Sequence, residues 1–204
     1  MRDTVPVLAL RADIGFALPW RALFRRGVGV HVRVGCGVRE TMRDSLGLDP
    51  AYIDERVRSI FLDGSPLDDI DTPKIAAGST LSLGGGMPGL VGITLNRASP
   101  LCHFRGDIGW KGGKECGTGQ GEITLKLFNL VAEDLVPLLL ARGVLVEATD
   151  AAAIMHEAAL DWRSGHACPV KAANLDGQAI DPAELASALE KQRGRLLVRV
   201  EWEL

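Results

Sequence analysis

Apolar and polar residues alternate with period two in several short runs, each bounded by glycine, proline or aspartate. Around Arg58 to Leu62, Val57, Ser59 and Phe61 fall on one side and Arg58, Ile60 and Leu62 on the other, as a strand requires. Asp63-Gly64 then supplies a turn, because glycine tolerates positive φ and aspartate bonds its own backbone. Pro66 and the acidic run Asp68-Asp69-Ile70-Asp71 read as a loop. Capped by Asp71 or Thr72, a single helical turn is expected over Pro73 to Ala77, with Gly78 stopping it. Thr80 to Leu83 alternate again as a second strand. Upstream, Val5 to Arg11 predicts the first strand. Leu18, Trp20, Leu23 and Phe24 lie at helical spacing, with Gly27 as the C-terminal stop. Val28, Val30, Val32 and Val34 alternate and should bury one face, leaving His31 on the other as an ordinary strand histidine. From about Val38 a helix carries Val38, Met42 and Leu46 as its core stripe, ended by Gly47 and Pro50.

IFLDGSPLDD…I…GSTLSL followed by glycines resembles the end of the β-grasp, or ubiquitin-like, family: a strand, tight turn, short helix, last strand and glycine tail. VGVHVRVGCG resembles that family's second strand and VRETMRDSLGLDPAYIDE its main helix, so the resemblance spans Val28–Gly86. Sulfur-carrier proteins of thiamin and molybdopterin synthesis are similar in size and in ending with two glycines. The resemblance implies protein binding through sheet faces or exposed edges. Ile60 matches one member of the family's apolar sheet-face patch, whereas Gly84 stands where another would be apolar. The carrier chemistry needs a free C-terminal carboxylate on the diglycine. Here the chain runs on from Gly85-Gly86 to Leu204, so that activity does not carry over without proteolytic release.

The same order of elements recurs over Ile123–Leu204. ITLKLF alternates like the first strand, EDLVPLLLARG resembles LPWRALFRRG, and Gly27, Leu46 and Leu62 find counterparts in Gly143, Leu160 and Leu175. Leu175-Asp176-Gly177 stands where Leu62-Asp63-Gly64 stood. Order and spacing kept together predict a tandem repeat. The expected architecture is α+β: two tandem β-grasp-like domains, 1–86 and 122–204, each closing its core around a main helix, with a Gly-rich insert over 87–121. A helix between the first two strands departs from the family, where they usually form a simple hairpin, and leaves their pairing open.

Within the insert, Met87, Leu90, Val91, Ile93 and Leu95 are too apolar for a solvated linker. They should pack on a domain or extend a sheet. Met87, Leu90, Val91, Ile93 and Trp110 make up the candidate interaction surface. Gly84-x-Gly86-x-x-Gly89 formally matches a dinucleotide-binding fingerprint, but Pro88 sits inside it and no helix is expected to open downstream. Cys102, His103 and Cys116, with His166 and Cys168, carry the donor types zinc takes. Without a CxxC or HxxxH spacing, scattered reduced thiols are favoured and no cofactor is expected.

A net charge of −3 with a pI near 5.8 provides no basic signature for nucleic acid, and Arg21, Arg25 and Arg26 read as a solvated helix face. No apolar run approaches the roughly 18 residues of a membrane span, and the cytoplasm is the default location. The acidic cluster Asp68, Asp69 and Asp71 reads as a solvated turn, and no catalytic residue is assigned. The leading function is a non-enzymatic protein-interaction module with a protein partner. The alternative is a small-molecule-binding protein or small enzyme, with a site between the halves bordered by Trp110, Lys114 and Cys116.

Overall fold

The structure is a computed structural model that describes residues 5–97, 99–100, 108–110, 112, 117–163 and 167–203. In chain order the elements are β1 (Val7–Asp13), α1 (Ala17–Arg26), β2 (Val28–Val34), α2 (Val38–Glu40) and α3 (Pro50–Glu55). Then come β3 (Ser59–Leu62), β4 (Ser65–Pro66), β5 (Thr80–Gly84) and α4 (Gly89–Leu95). β6 (Gly119–Phe128), α5 (Asn129–Arg142), β7 (Val144–Glu147) and α6 (Ala148–Arg163) follow. β8 (Val170–Leu175), β9 (Gln178–Ile180), α7 (Leu185–Glu190) and β10 (Arg195–Glu203) complete the chain. The protein is α+β.

Its residues fall into two compact units, Phe24–Ala132 and Met1–Leu23 with Glu133–Leu204. In the first, strands lie in the order β2-β6-β5-β3-β4, with β5 and β6 parallel and every other pair antiparallel. In the second the order is β7-β10-β1-β8-β9, with β1 and β10 parallel and the rest antiparallel. This division differs from the tandem one at 86 and 122. The strands expected to open and close 1–86 are not neighbours: β5 lies beside β6, and β1 lies between β10 and β8.

The connections supply the reason. A two-residue turn would return β1 onto β2, but α1 intervenes with 10 residues and α5 with 14. At 1.5 Å per residue these carry the chain about 15 and 21 Å before the next strand begins. Glycine makes the junction each time, at φ +125 for Gly27 and +111 for Gly143, where a β-carbon would be strained.

Inside Phe24–Ala132 the core face of the sheet is Val28, Val30 and Val32, Ile60 and Leu62, Leu81 and Leu83, and Ile123, Leu125 and Leu127, all nearly or fully buried. Val38, Met42 and Leu46 pack as the expected stripe. The main helix is not continuous, however. After α2 it widens into a π turn over Thr41–Ser45, with the Leu46 N–H donating to the Thr41 carbonyl, and Gly47 at φ +74 ends it. A separate α3 then starts where the Asp49 carboxylate accepts from the N–H groups of Ala51 and Tyr52, with Pro50 at its first position.

The helical turn expected at Pro73–Ala77 is absent. From Pro73 to Ile75 the chain is extended, with Lys74 bridging Gly37, the Gly35 N–H donating to the Ile75 carbonyl, and the Ile75 N–H donating to the Cys36 carbonyl; a turn at Ala77-Gly78 follows. The alternation Pro73 buried, Lys74 exposed, Ile75 buried satisfies backbone and core together, which one helical turn could not. Just before Pro73, the Asp69 carboxylate closes a turn by accepting from the N–H groups of Asp71 and Thr72.

The other unit is built on Leu8, Leu10 and Ala12 of β1, Val144 to Val146 of β7, and Leu196, Val198 and Val200 of β10. Ala148, Ala151, Ala152 and Met155 of α6 and Leu185 and Leu189 of α7 are buried with them. The two Asp-Gly turns repeat nearly to the degree: Asp63 and Gly64 at φ 49 and 85, Asp176 and Gly177 at 50 and 84. Positive φ at both central residues is the hairpin turn that suits the twist of its strands.

Candidate functional site

The outward face of the Phe24–Ala132 sheet follows from register. Phe61 pairs with Ser82 and Ser82 with Lys126, forming one row across β3, β5 and β6. Ser59 pairs with Gly84 and Gly84 with Phe128, forming the next. The two phenylalanines therefore stand diagonally across a centre of serine and glycine. The result is an apolar groove of about 330 Å³ lined by Phe61, Ser82, Gly84, Met87, Lys126 and Phe128.

Gly84 is its floor. A β-carbon there would lie 2.6 Å from the Ser59 Oγ, so any larger residue would have to push that buried hydroxyl aside. The Ser59 hydroxyl is buried and donates to the Gly85 carbonyl at 3.2 Å. Ile60, matched above to the family's sheet-face patch, points the other way: it is 1% exposed in the core. Alternation had already put Phe61 opposite Ile60, and Lys126 and Phe128 opposite Leu125 and Leu127. What the sequence lacked was the pairing of β6 with β5, which brings these side chains together.

Met87 walls the groove because the following segment folds back on it. The Asn96 side-chain amide accepts from the Met87 N–H at 2.9 Å and donates to the Met87 carbonyl at 3.2 Å. Arg97 donates from its guanidinium to the Ile53 carbonyl at 2.9 Å and lies 3.5 Å from Asp54. Between these anchors runs α4, a helix where none was expected. It opens at Gly89, φ +80, without a side-chain cap.

Of the candidate interaction residues, Met87 lines the groove, Ile93 is 41% exposed on α4, and Trp110 is half-buried. Leu90 and Val91 lie in α4, and their side chains are outside the described residues. The insert boundary at 121 also moves. Gly119, Gln120 and Gly121 belong to β6, opposite Val34, Arg33 and Val32. A β-carbon at Gly121 would approach the Val34 Cγ1 to 2.6 Å.

The candidate zinc ligands Cys102, His103 and Cys116 lie outside the described residues, as do Lys114 and His166. Among the described residues no group of three or more His, Cys, Asp or Glu side chains is placed to hold a metal, and no helix is long and apolar enough to cross a membrane.

A second, polar cleft of about 330 Å³ lies at the far end of β2, lined among others by His31, Arg33, Cys36, Glu40 and Asp44. The Arg33 Nε donates to the Cys36 Sγ at 2.9 Å and its other arm meets Glu40. The bond to Cys36, then the charge of Glu40, raises the Arg33 pKa above its ordinary value. Nearby, Arg39 bridges Asp54 at 2.9 Å and Asp71 at 2.8 Å. The hydrogen bond from Arg39 holds the Asp54 carboxyl below the usual carboxylate range. Arg33 thus ties β2 to Glu40 of α2, and Arg39 ties α2 to α3 and to the loop at Asp71. No family model, curated protein or solved structure matches this chain.

Proposed function

We propose that this protein is a non-enzymatic protein-interaction module of two β-grasp-like units, which docks a protein partner on the outward sheet face of Phe24–Ala132. The β-grasp reading draws support from the helical segment between β2 and β3, from the Asp63-Gly64 hairpin, and from the antiparallel strand beside β2. That strand occupies the place a simple hairpin partner would take, although it comes from the second repeat. The observation that carries the docking reading is the groove. It presents two phenylalanines and a methionine, half-buried, around a glycine floor on the side of the sheet turned away from the core. Large apolar side chains around a concavity are what binding hot spots are made of.

The test is affinity capture from the source cells with the wild-type chain, Phe61→Ser, and a control substitution on the exposed part of β9, Gln178→Ser. A stoichiometric partner kept by wild type and by Q178S and lost by F61S supports the reading. Retention by F61S, with folding intact by circular dichroism, overturns it.

A further inference from the structure

Resting on that reading, we infer that the groove takes a peptide segment in which a large apolar side chain is flanked by a carboxylate, with Lys126 receiving the carboxylate. Lys126 belongs to the groove's lining and stands in the row Phe61, Ser82, Lys126. Its stem is laid across Gly27: a β-carbon at that glycine would touch the Lys126 Cε at 3.4 Å and Cγ at 3.5 Å. These are ordinary van der Waals distances, so the stem lies along the sheet against Gly27, whose β-carbon would instead collide with the Thr124 Cγ2 at 2.7 Å. The ammonium has no partner among the described residues.

This contrasts with the unit's other well-placed cations. Arg39 is held by two aspartates, Arg33 by Glu40, Arg43 by Asp44, and Arg97 by Asp54 and the Ile53 carbonyl. An unpaired ammonium on a half-buried lysine at the margin of an apolar groove is complementary to an anion, and an occupant that pairs it gains affinity and register. The groove volume of about 330 Å³ suits one or two side chains, not a folded domain inserted bodily. The occupant is accordingly a short segment of a partner: one large apolar residue over Gly84 between Phe61 and Phe128, and an aspartate or glutamate beside it reaching Lys126.

A random decapeptide display library selected in parallel against the full chain and against Lys126→Glu tests this. The expected result is enrichment of a large apolar residue flanked by Asp or Glu on wild type, and replacement of the acid by Lys or Arg on K126E. A synthetic copy of a selected peptide should shift the amide resonances of Phe61, Ser82, Lys126 and Phe128. It should lose about threefold to fivefold in affinity on Glu→Gln at low salt, the scale of one exposed charge pair, and less at high salt.

Apolar enrichment with those shifts but no acidic bias, or a bias unchanged on K126E, overturns the charge assignment and leaves the docking face standing. Selected peptides that shift resonances elsewhere, or no selection at all, overturn both.

Discussion

The placement of β1 between β10 and β8 makes a prediction that closure of 1–86 on itself would not. Asp176, in the turn between β8 and β9, accepts from the Val7 N–H through its carboxylate at 2.9 Å and donates its own N–H to the Val7 carbonyl at 2.9 Å. Asp63 makes the same pair of bonds in the other unit, accepting from the Thr80 N–H at 2.7 Å and donating to the Thr80 carbonyl. One aspartate thus pins the start of β1 and the other the start of β5. Replacing Asp176 by alanine removes a charge-assisted bond, worth about 1 kcal/mol at this exposed position given the 1.5–3 kcal/mol of protected cases. It also replaces aspartate, which tolerates left-handed backbone, by alanine, which does so less well, at φ 50, and this adds about 1 kcal/mol. The local opening free energy at β1 should fall by about 2 kcal/mol, so exchange there should rise roughly thirtyfold.

Amide hydrogen exchange by NMR reads this strand by strand. Protected amides of β1, between Val7 and Asp13, should speed up in Asp176→Ala, while those of β6, between Ile123 and Phe128, stay at the wild-type rate. Asp176→Asn keeps an acceptor and tolerates left-handed backbone, so it should fall between. If D176A instead loosens β6 and spares β1, then β6 and not β1 borders β8, and the strand order β10-β1-β8 is refuted.

Three further outcomes follow from the same geometry. Ile60→Ala should cost about 2–5 kcal/mol in urea unfolding of the first unit, as a fully buried large-to-small change does, whereas half-buried Phe61→Ala should cost less than about 1.5 kcal/mol. Equal losses would mean the two faces of β3 are misassigned. Gly35→Ala should destabilise by about 1–2 kcal/mol from its φ of +84 alone, and further because its β-carbon would lie 2.7 Å from the Gly117 carbonyl oxygen. A variant as stable as wild type in a thermal melt would contradict that close approach. The depressed Asp54 carboxyl contributes stability that is present above its unfolded pKa, about 3.9, and is lost as pH falls through its lower folded value. Urea midpoints of wild type and Asp54→Asn should therefore differ at pH 6 and converge in acid. The pair is largely solvent-exposed, so the gap should be small and shrink with salt.

Most of what is local could be read along the chain. Alternation in VGVHVRV, the stripe Val38, Met42, Leu46, the glycines at 27 and 143, and the paired Asp-Gly turns each depend on a few adjacent residues and their backbone preferences. The extended course of Pro73 to Ile75 escaped because a proline at a helix start and a proline in an alternating run look alike until Gly35 and Cys36 come alongside. The break between α2 and α3 escaped because the stripe continues across it.

Which strands become neighbours was not local. β1 and β6 both alternate and are apolar on one face, so either satisfies the period of either sheet. Only the reach of α1 and α5, together with the packing of whole units, decides between them. The outward groove shares that origin: Phe61, Gly84 and Phe128 are far apart in the chain, and the ladder from β3 through β5 to β6 alone makes them one surface.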